Sequence, residues 1–477
     1  MSEHFTVAVL GAGPGGYIAA LKAAQLGAKT AVIEKHLLGG TCLNYGCIPS
    51  KALLASAQLL YEIRHSESLG VQVSGSVGFD WSAIQKRKDK VLAKLRGGIK
   101  GLFAAGKVRL FEGTGTLEGP GRIRITDAKG QTQTITADRI ILASGSMPAR
   151  ISSWPSDPER VCTSDEALHW KELPKRLLIV GGGVIGCEFA CMMHEYGVET
   201  AVVEMMEDLL PEMEPELGRA LNRIFTQRGI RIFTGTKVES LSVGEKGISA
   251  VLSNGQTLQA DKVLVATGRR PNTQTLGLET VGLTPDRGFV RVNERMETPA
   301  KGIYCIGDAN GRCLLAHAAS AQGVVAAENA VGKTASYTLP VPNAVYTFPE
   351  IASVGITTRQ ARQQNIPIRI GQFPIGYLGK AMAVGQETGF VKVIARRDDG
   401  ALLGVHMLGH NATEIIESAA AMLGMKAKAK DLGEMIFAHP TLSEAVKEAA
   451  EDVFQQALHL PPRKVLQTVA EMERLEQ

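Results

Sequence analysis

Short apolar runs that stop at glycine alternate along this chain with longer stretches of helical periodicity. FTVAVLGAGPGG, near the start, reads as a buried strand that breaks into Gly11-x-Gly13-x-x-Gly16 and then a helix-like stretch ending at Gly27. RLLIVGGGVIG repeats the pattern with Gly181, Gly183 and Gly186, and its helical stretch ends at Gly197. Each repeat is followed by a second strand, TAVIE to Glu34 and TAVVE to Glu204, at the same spacing from its first glycine. Later apolar runs match as well. IILASGS (140–146) and VLVATGR (263–269) end in a small-residue and glycine turn, and IYCIGDAN (303–310) carries Asp308 at its C-terminal edge. Strand, helix and strand in alternation predict parallel sheets of α/β type. From Val341 the order changes: GFVKVIA (389–395) and LLGVHML (402–408) precede helical patterns, which predicts a separate α+β unit.

The repeated glycines have a physical reading beyond a turn. A GxGxxG that closes a strand and opens a helix lets a pyrophosphate approach free N–H groups at the helix N-terminus. An acid at the end of the second strand accepts hydrogen bonds from a ribose diol. Glycine is common here, so a bare match means little; the matched strands and acids make this a dinucleotide fingerprint present twice. Around Glu204 the run Met205-Met206-Glu207-Asp208 adds acid and no arginine, which disfavours a 2′-phosphate and predicts NAD rather than NADP.

Composition adds exclusions. Hydrophobic residues at 44% and charged residues at 21% describe an ordinary globular chain, not a disordered one. Net charge is +4 with no dense basic cluster interleaved with aromatics, so a nucleic-acid role is not expected. No apolar run reaches the ~18 residues needed to cross a bilayer, and no targeting segment is read before the first strand. A cytoplasmic chain without membrane association is the expectation.

In such a compartment cysteine pairs are more often catalytic or metal-binding than structural. GGTCLNYGCIPSKALL (39–54) places Cys42 and Cys47 close enough to bridge within one compact turn. Pro49 fits the first turn of a helix that Lys51 begins, putting Cys47 near a helix N-terminus, where a thiolate is stabilised. A zinc half-site and a pair of buried core thiols remain alternatives. No second Cys/His pair stands at ligand spacing, so no metal site is expected. Cys162, Cys187, Cys191, Cys305 and Cys313 sit singly in helix or strand patterns and read as core. Near the end, EMIFAHPTLSEAVKEAAEDVF (434–454) sets His439 before Pro440, with Thr441 and Glu444 at capping-box spacing. Glu444 also stands one turn from His439 and could hold its imidazole as a proton acceptor.

Two dinucleotide fingerprints, a CxxxxC after the first and HPTxxE near the end together resemble the pyridine nucleotide–disulfide oxidoreductases over essentially the whole chain. Within that family GGTCLNYGCIPSK, LLAHAASAQG (314–323) and YTFPEIASVG (346–355) are similar to the dihydrolipoamide dehydrogenases. Glutathione reductases usually carry VPKK where this chain has IPSK, and mercuric reductases add a C-terminal cysteine pair, whereas the last cysteine here is Cys313.

The resemblance implies an FAD-binding domain with a redox disulfide (1–150) and an NAD-binding domain (151–275), both Rossmann-like. It also implies a central domain completing the FAD site (276–345) and an α+β dimerisation domain (346–477). FAD would use Gly11, Gly13, Gly16, Glu34, Lys51, Gly115, Glu188, Asp308 and Ala316, with Lys51 paired to Glu188. NAD would use Gly181, Gly183, Gly186, Glu204, Val238 and Gly268. Cys42 would exchange with a dihydrolipoyl group, Cys47 would face the flavin, and His439, oriented by Glu444, would act on the partner's Cys42 across a homodimer interface. The implied partner is a lipoyl domain of a 2-oxoacid dehydrogenase or glycine cleavage complex; the alternative is an NAD(P)H-dependent reductase of another disulfide or a metal ion. Two departures lie near the substrate mouth: Phe437, where the family often has a second histidine, and Tyr45, where it often has an aliphatic residue.

Overall fold

The computed structural model describes residues 3–155, 157–245 and 247–461, so 462–477 of the expected last domain lie outside the described residues. Among the described residues the apolar runs form three larger sheets, beside a three-stranded and a two-stranded one. In the first, parallel strands run in the order Arg109–Glu112, Thr30–Glu34, His4–Leu10, Thr132–Leu142 and Ile303–Cys305. The first half of Thr132–Leu142 also pairs antiparallel with Arg122–Thr126, which in turn pairs with Thr114–Leu117. Val7, Ala8, Val9 and Leu10 are all buried in succession, as a parallel strand covered on both faces requires.

Helices cover that sheet: α1 (Pro14–Gln25), α2 (Gly40–Tyr45), α3 (Cys47–Arg64) and α4 (Trp81–Ala105). The second sheet repeats the first in plan, with parallel strands Arg231–Phe233, Glu199–Val203, Arg176–Val180, Lys262–Val265 and Val161–Cys162. Its helices are α5 (Ser164–Ala167), α6 (Val184–Glu195) and α7 (Pro215–Gln227). Ser146–Pro148 and Arg269–Pro271 form an antiparallel ribbon between the two units.

The chain then returns to the first unit, adding Ile303–Cys305 to its sheet and α8 (Ala316–Ala330) against α1. Small residues make that helix pair close. A Cβ on Gly323 of α8 would lie 2.5 Å from the Gly15 carbonyl oxygen of α1, and one on Gly15 would lie 2.8 Å from the Ala319 carbonyl. Alanine is the better helix former by about 1 kcal/mol, yet Gly323→Ala is expected to lower stability by about 1–2 kcal/mol, because backbone must give way. Calorimetric unfolding of the two proteins checks the sign; a raised Tm would contradict the packing.

The third sheet is antiparallel, in the order Asn343–Val345, Glu350–Gly355, Leu402–Gly409, Phe390–Arg396 and Ile368–Pro374. It carries α9 (Thr358–Gln363), α10 (Gly379–Ala383), α11 (Ala412–Gly424), α12 (Ala429–Glu434) and α13 (Glu444–Asp452). Apolar and polar contacts tie this unit to the others. One core contains Leu53 of α3, Phe189 of α6 and Ile351 and Leu408 of the third sheet. Lys392, also buried, donates to Glu214 Oε1 (2.9 Å) and Glu216 Oε1 (2.8 Å) of the second unit. Among the described residues, no helix is long and apolar enough to cross a membrane.

Candidate functional site

The strands of each parallel sheet end at one edge, and the expected dinucleotide residues collect there. Gly11 follows Leu10 at φ +106°; a Cβ there would sit 2.3 Å from the Ala143 carbonyl oxygen, at the end of the neighbouring strand. Gly16 lies against Gly11, where a Cβ would come within 2.0 Å of its carbonyl oxygen. Gly13 caps α1 without any side-chain hydrogen bond, and its missing Cβ would face only Gly40 Cα at 3.9 Å. Glu34 closes the loop from the next strand: Oε2 accepts from Ala12 N (2.7 Å) and Oε1 from His36 N (2.8 Å). Gly115 abuts Leu10 and Ile33 at the same edge. Asp308 stands in the turn after Ile303–Cys305 and accepts from Ser146 Oγ at 2.5 Å, and Ala316 opens α8.

The second cleft copies the first. Gly181 (φ +110°) abuts the Ala266 carbonyl, Gly186 abuts Gly181, and Gly183 caps α6 with nothing within 4 Å of its Cβ position. Glu204 Oε2 accepts from Gly182 N (2.6 Å) and Oε1 from Met206 N (2.7 Å), the same two bonds that Glu34 makes. Gly268 (φ +114°) also faces open space, while Val238 begins the strand Val238–Gly244 and packs partly on the apolar core of this unit. Uncapped helix N-termini behind glycine backbone fit a pyrophosphate in each cleft. In the first, Ser144 Oγ is buried with no partner among the described residues, an unpaired polar atom of the kind a ribose or phosphate group satisfies.

The cysteine segment crosses the first cleft. Gly39 N donates to Ala12 O (2.8 Å), and a Cβ on Gly40 would lie 2.6 Å from Gly13 Cα. Only glycine lets α2 pass this close to the fingerprint loop. After α2 the chain turns at Gly46, and α3 begins at Cys47, four residues earlier than Lys51; Pro49 still falls in its first turn, where no N–H donor is needed. Cys47 is thus the first residue of a helix. Its thiol is pulled down to about 7, chiefly by a hydrogen bond from the Cys42 thiol; burial opposes and the Lys51 charge assists. The same bond, with burial, pushes the Cys42 thiol up. Of the seven cysteines Cys47 alone is lowered; burial raises Cys162, Cys187, Cys191, Cys305 and Cys313. Four of those five are fully buried as expected, but Cys313 is only half-buried, in the connection before α8 and outside any helix or strand.

A thiol near 7 gives a pH-dependent expectation for the reduced protein. Thiolate ultraviolet absorbance should grow as pH rises through about 7, and Lys51→Met should shift that rise to higher pH. Lys51 stands one turn beyond Cys47 and meets Glu188 of α6, with Nζ 2.8 and 2.9 Å from the two carboxylate oxygens. Glu188 also accepts from Tyr346 N (3.1 Å), and Lys51 Nζ lies 4.3 Å from the Tyr346 ring centroid. Spacing along the chain offered no hint of Tyr346. Nor did it single out Arg269, which donates to Ser146 Oγ (2.7 Å) and reaches toward Thr41 Oγ1 (3.5 Å), between Asp308 and the residue before Cys42.

His439 and Glu444 meet as their spacing predicts: Nδ1 lies 2.9 Å from Oε1, with the histidine side chain 78% exposed. Burial opposes ionisation of Glu444, but the Thr441 N–H and His439 outweigh it and hold the carboxyl below its ordinary range. Only half of the expected capping box forms. Thr441 N donates to Glu444 Oε2 (2.9 Å), whereas Thr441 Oγ1 donates to Ala438 O (2.8 Å) and α13 starts at Glu444 itself. Among the described residues no hydrogen bond or ion pair joins this dyad to Cys42 of the same chain.

Comparison with known proteins agrees with this arrangement. Residues 5–323 match the model for pyridine nucleotide-disulphide oxidoreductase, and residues 341–450 match the dimerisation domain of the same family. Dihydrolipoyl dehydrogenase of Bacillus subtilis is 39% identical over 474 residues, 96% of this chain and all of that protein. The Chlamydia muridarum protein of that name is 40% identical over 470 residues, 97% of this chain and all of that protein. Among solved structures, LpdA from Mycobacterium tuberculosis superposes with a TM-score of 0.87 at 31% identity, covering 94% of this chain and 99% of that one. The HOCl-induced flavoprotein disulfide reductase RclA from Escherichia coli superposes with a TM-score of 0.83 at 25% identity over the same shares. Paired dinucleotide clefts, a thiol pair against the first of them and near full-length relatives place the chain in the pyridine nucleotide-disulphide oxidoreductase family.

Proposed function

We propose that the protein oxidises a dihydrolipoyl group with NAD⁺ through a Cys42–Cys47 disulfide and FAD. The observation that carries the reading is the thiol pair: one low-pKa and one high-pKa thiol, joined by a hydrogen bond, against the first dinucleotide cleft. The family's two cofactors have one cleft each. FAD fits the first, held by Gly11, Gly13, Gly16, Glu34, Gly115, Asp308 and Ala316, with Lys51 and Glu188 beside the thiols. NAD fits the second, held by Gly181, Gly183, Gly186, Glu204, Val238 and Gly268. When bound, the flavin supplies a two-electron relay between the thiols and the nicotinamide.

The protein's own steps concern sulfur and protons. His439, held by Glu444, takes a proton from one thiol of the substrate, and the thiolate attacks Cys42. The Cys42–Cys47 bond breaks, Cys47 leaves as thiolate, and a mixed disulfide forms at Cys42. The second substrate thiol displaces Cys42, releasing the oxidised cyclic disulfide and leaving the cysteine pair reduced by two electrons. Because no hydrogen bond or ion pair among the described residues joins the exposed dyad to Cys42 of its own chain, the reading requires a homodimer in which each His439 serves the partner's thiols. The lipoyl group would arrive on a carrier domain of a 2-oxoacid dehydrogenase or glycine cleavage complex in the cytoplasm.

The likeness to RclA favours a second reading, reduction of another disulfide or a metal ion by NAD(P)H. Steady-state turnover separates them: dihydrolipoamide with NAD⁺ should exceed glutathione disulfide with NADPH, and Cu(II) with NADH, by orders of magnitude. Greater turnover with either reductive pair would overturn the assignment.

A further inference from the structure

Lys88 on α4 is 1% exposed, a degree of burial that lysine almost never shows unless it is paired. Its ammonium donates to Gln85 Oε1 (2.6 Å) and Leu168 O (2.9 Å), and it lies 3.0 Å from His169 Nδ1. The one carboxylate nearby, Asp89, is 3.2 Å away on the exposed side. An ammonium has no acceptor, so His169 Nδ1 accepts and the imidazole proton sits on Nε2.

The ring also meets α2. The Tyr45 ring meets His169 edge-on, with centroids 6.0 Å apart and planes at 72°. Arg96 of α4 holds Asn44 from its other end, Nη1 to Oδ1 at 2.9 Å, and Asn44 Nδ2 donates back to Leu38 O (3.0 Å) and Gly40 O (2.9 Å). Tyr45 stands three residues after Cys42, so the two share one face of α2. A buried cation, a histidine from the segment after α5 and the end of the Cys42 helix are therefore linked in series, by a hydrogen bond and then a ring contact.

We propose that Lys88 and His169 are positioning residues for thiol exchange: through Tyr45 they fix the end of α2, and with it the opening through which a dithiol reaches Cys42. The inference rests on the reading above for the identity of the dithiol. Protonation of the ring would set two cations face to face. Partial burial and the Lys88 charge push His169 below its ordinary value, against Asp89 and the Asn44 carbonyl, and burial pushes Lys88 down against Asp89. The shift at His169 favours the neutral ring that the contact needs.

The test uses the FAD-loaded protein and three variants. His169→Leu removes the acceptor of the Lys88 ammonium, His169→Gln restores one, and Lys88→Met removes the cation. In His169→Leu, kcat/KM for dihydrolipoamide should fall about tenfold to a hundredfold, mostly through KM. NADH oxidation by ferricyanide, a one-electron acceptor that needs no cysteine, should stay unchanged, and His169→Gln should recover most of the loss. Lys88→Met should move the acid-side fall of the kcat/KM profile to higher pH, because the Lys88 charge no longer opposes protonation of His169, although burial still does. Wild-type kcat/KM in His169→Leu, or a parallel loss of the ferricyanide reaction, would overturn the proposal. Should the wild-type protein itself fail with dihydrolipoamide, the functional reading falls and this one is read from iodoacetamide alkylation of Cys42 in the reduced protein. That rate should change in His169→Leu and return in His169→Gln; equal rates in all three proteins would refute the positioning role.

Discussion

Cys42→Ser is expected to lower dihydrolipoamide turnover by more than about a thousandfold, as removal of a reacting nucleophile does. The same variant should bind FAD and keep the NADH–ferricyanide reaction, because exchanging the thiol for a smaller hydroxyl disturbs neither glycine cleft. The assignment of Cys42 as the attacked sulfur, rather than Cys47, comes from the unequal pair. In thiol–disulfide exchange the sulfur with the lower pKa leaves more readily. Cys47, at the start of α3 and pulled down to about 7, is the better leaving group, so attack falls on Cys42. Once the pair is reduced, charge rests on Cys47, beside the Lys51–Glu188 pair, while Cys42 keeps its proton. Cys47→Ser should be equally inactive but for a different reason: it keeps a thiol able to meet substrate and loses the leaving group. Mass spectrometry after incubation with an oxidised lipoyl compound should find a mixed disulfide on Cys42 in reduced Cys47→Ser, and no adduct on Cys47 in Cys42→Ser. Wild-type turnover by Cys42→Ser would end the disulfide mechanism.

Local geometry was the legible part of this site. Gly11 and Gly181 are readable because a positive φ and a backbone oxygen 2.3 Å from the missing Cβ leave no other residue a place, and such constraints show as residue type. Glu34 and Glu204 follow from the strand that must come next, and the His439–Glu444 contact from the short span of chain between the two residues. The start of α3 was missed because a CxxxxC with a following proline fits a helix beginning at either end of the segment. Gly46, which turns between α2 and α3 at φ −146° and ψ −116°, is what decides it. The full capping box failed because α13 starts at Glu444 itself, so Thr441 is not its N-cap and Thr441 Oγ1 only donates to Ala438 O, a boundary that pattern alone does not place. Contacts between distant segments leave even less trace. Tyr346 on Glu188, Arg269 on Ser146 and Lys88 on His169 join residues far apart in the chain, and each depends on how the units dock. Lys51–Glu188 was available only because the family resemblance supplied it.

Two inactive variants mixed together should regain activity, and that outcome tests the two-chain site. His439→Gln should lose about a hundredfold to ten-thousandfold in dihydrolipoamide turnover, the range for removing a general base. Glu444→Gln should lose less. The carboxylate is acceptor-only, so it fixes the His439 proton on Nδ1 and leaves Nε2 free to take one from substrate; glutamine can donate as well and admits the wrong tautomer. Because Glu444 is held below its ordinary range, the carboxylate stays charged from neutral pH well into acid, and wild-type loss of activity near neutrality is not its titration. When Cys42→Ser and His439→Gln subunits are dissociated, mixed in equal amounts and reassembled, half of the dimers are hybrids. In each hybrid one site pairs an intact Cys42 with an intact His439 from the other chain, so about a quarter of wild-type activity should return. If His439 served the thiols of its own chain, every site in the mixture would lack one group and no activity would appear. Recovery therefore separates an intersubunit acid–base dyad from an intrasubunit one without any knowledge of the interface, and the exposed position of His439 predicts recovery.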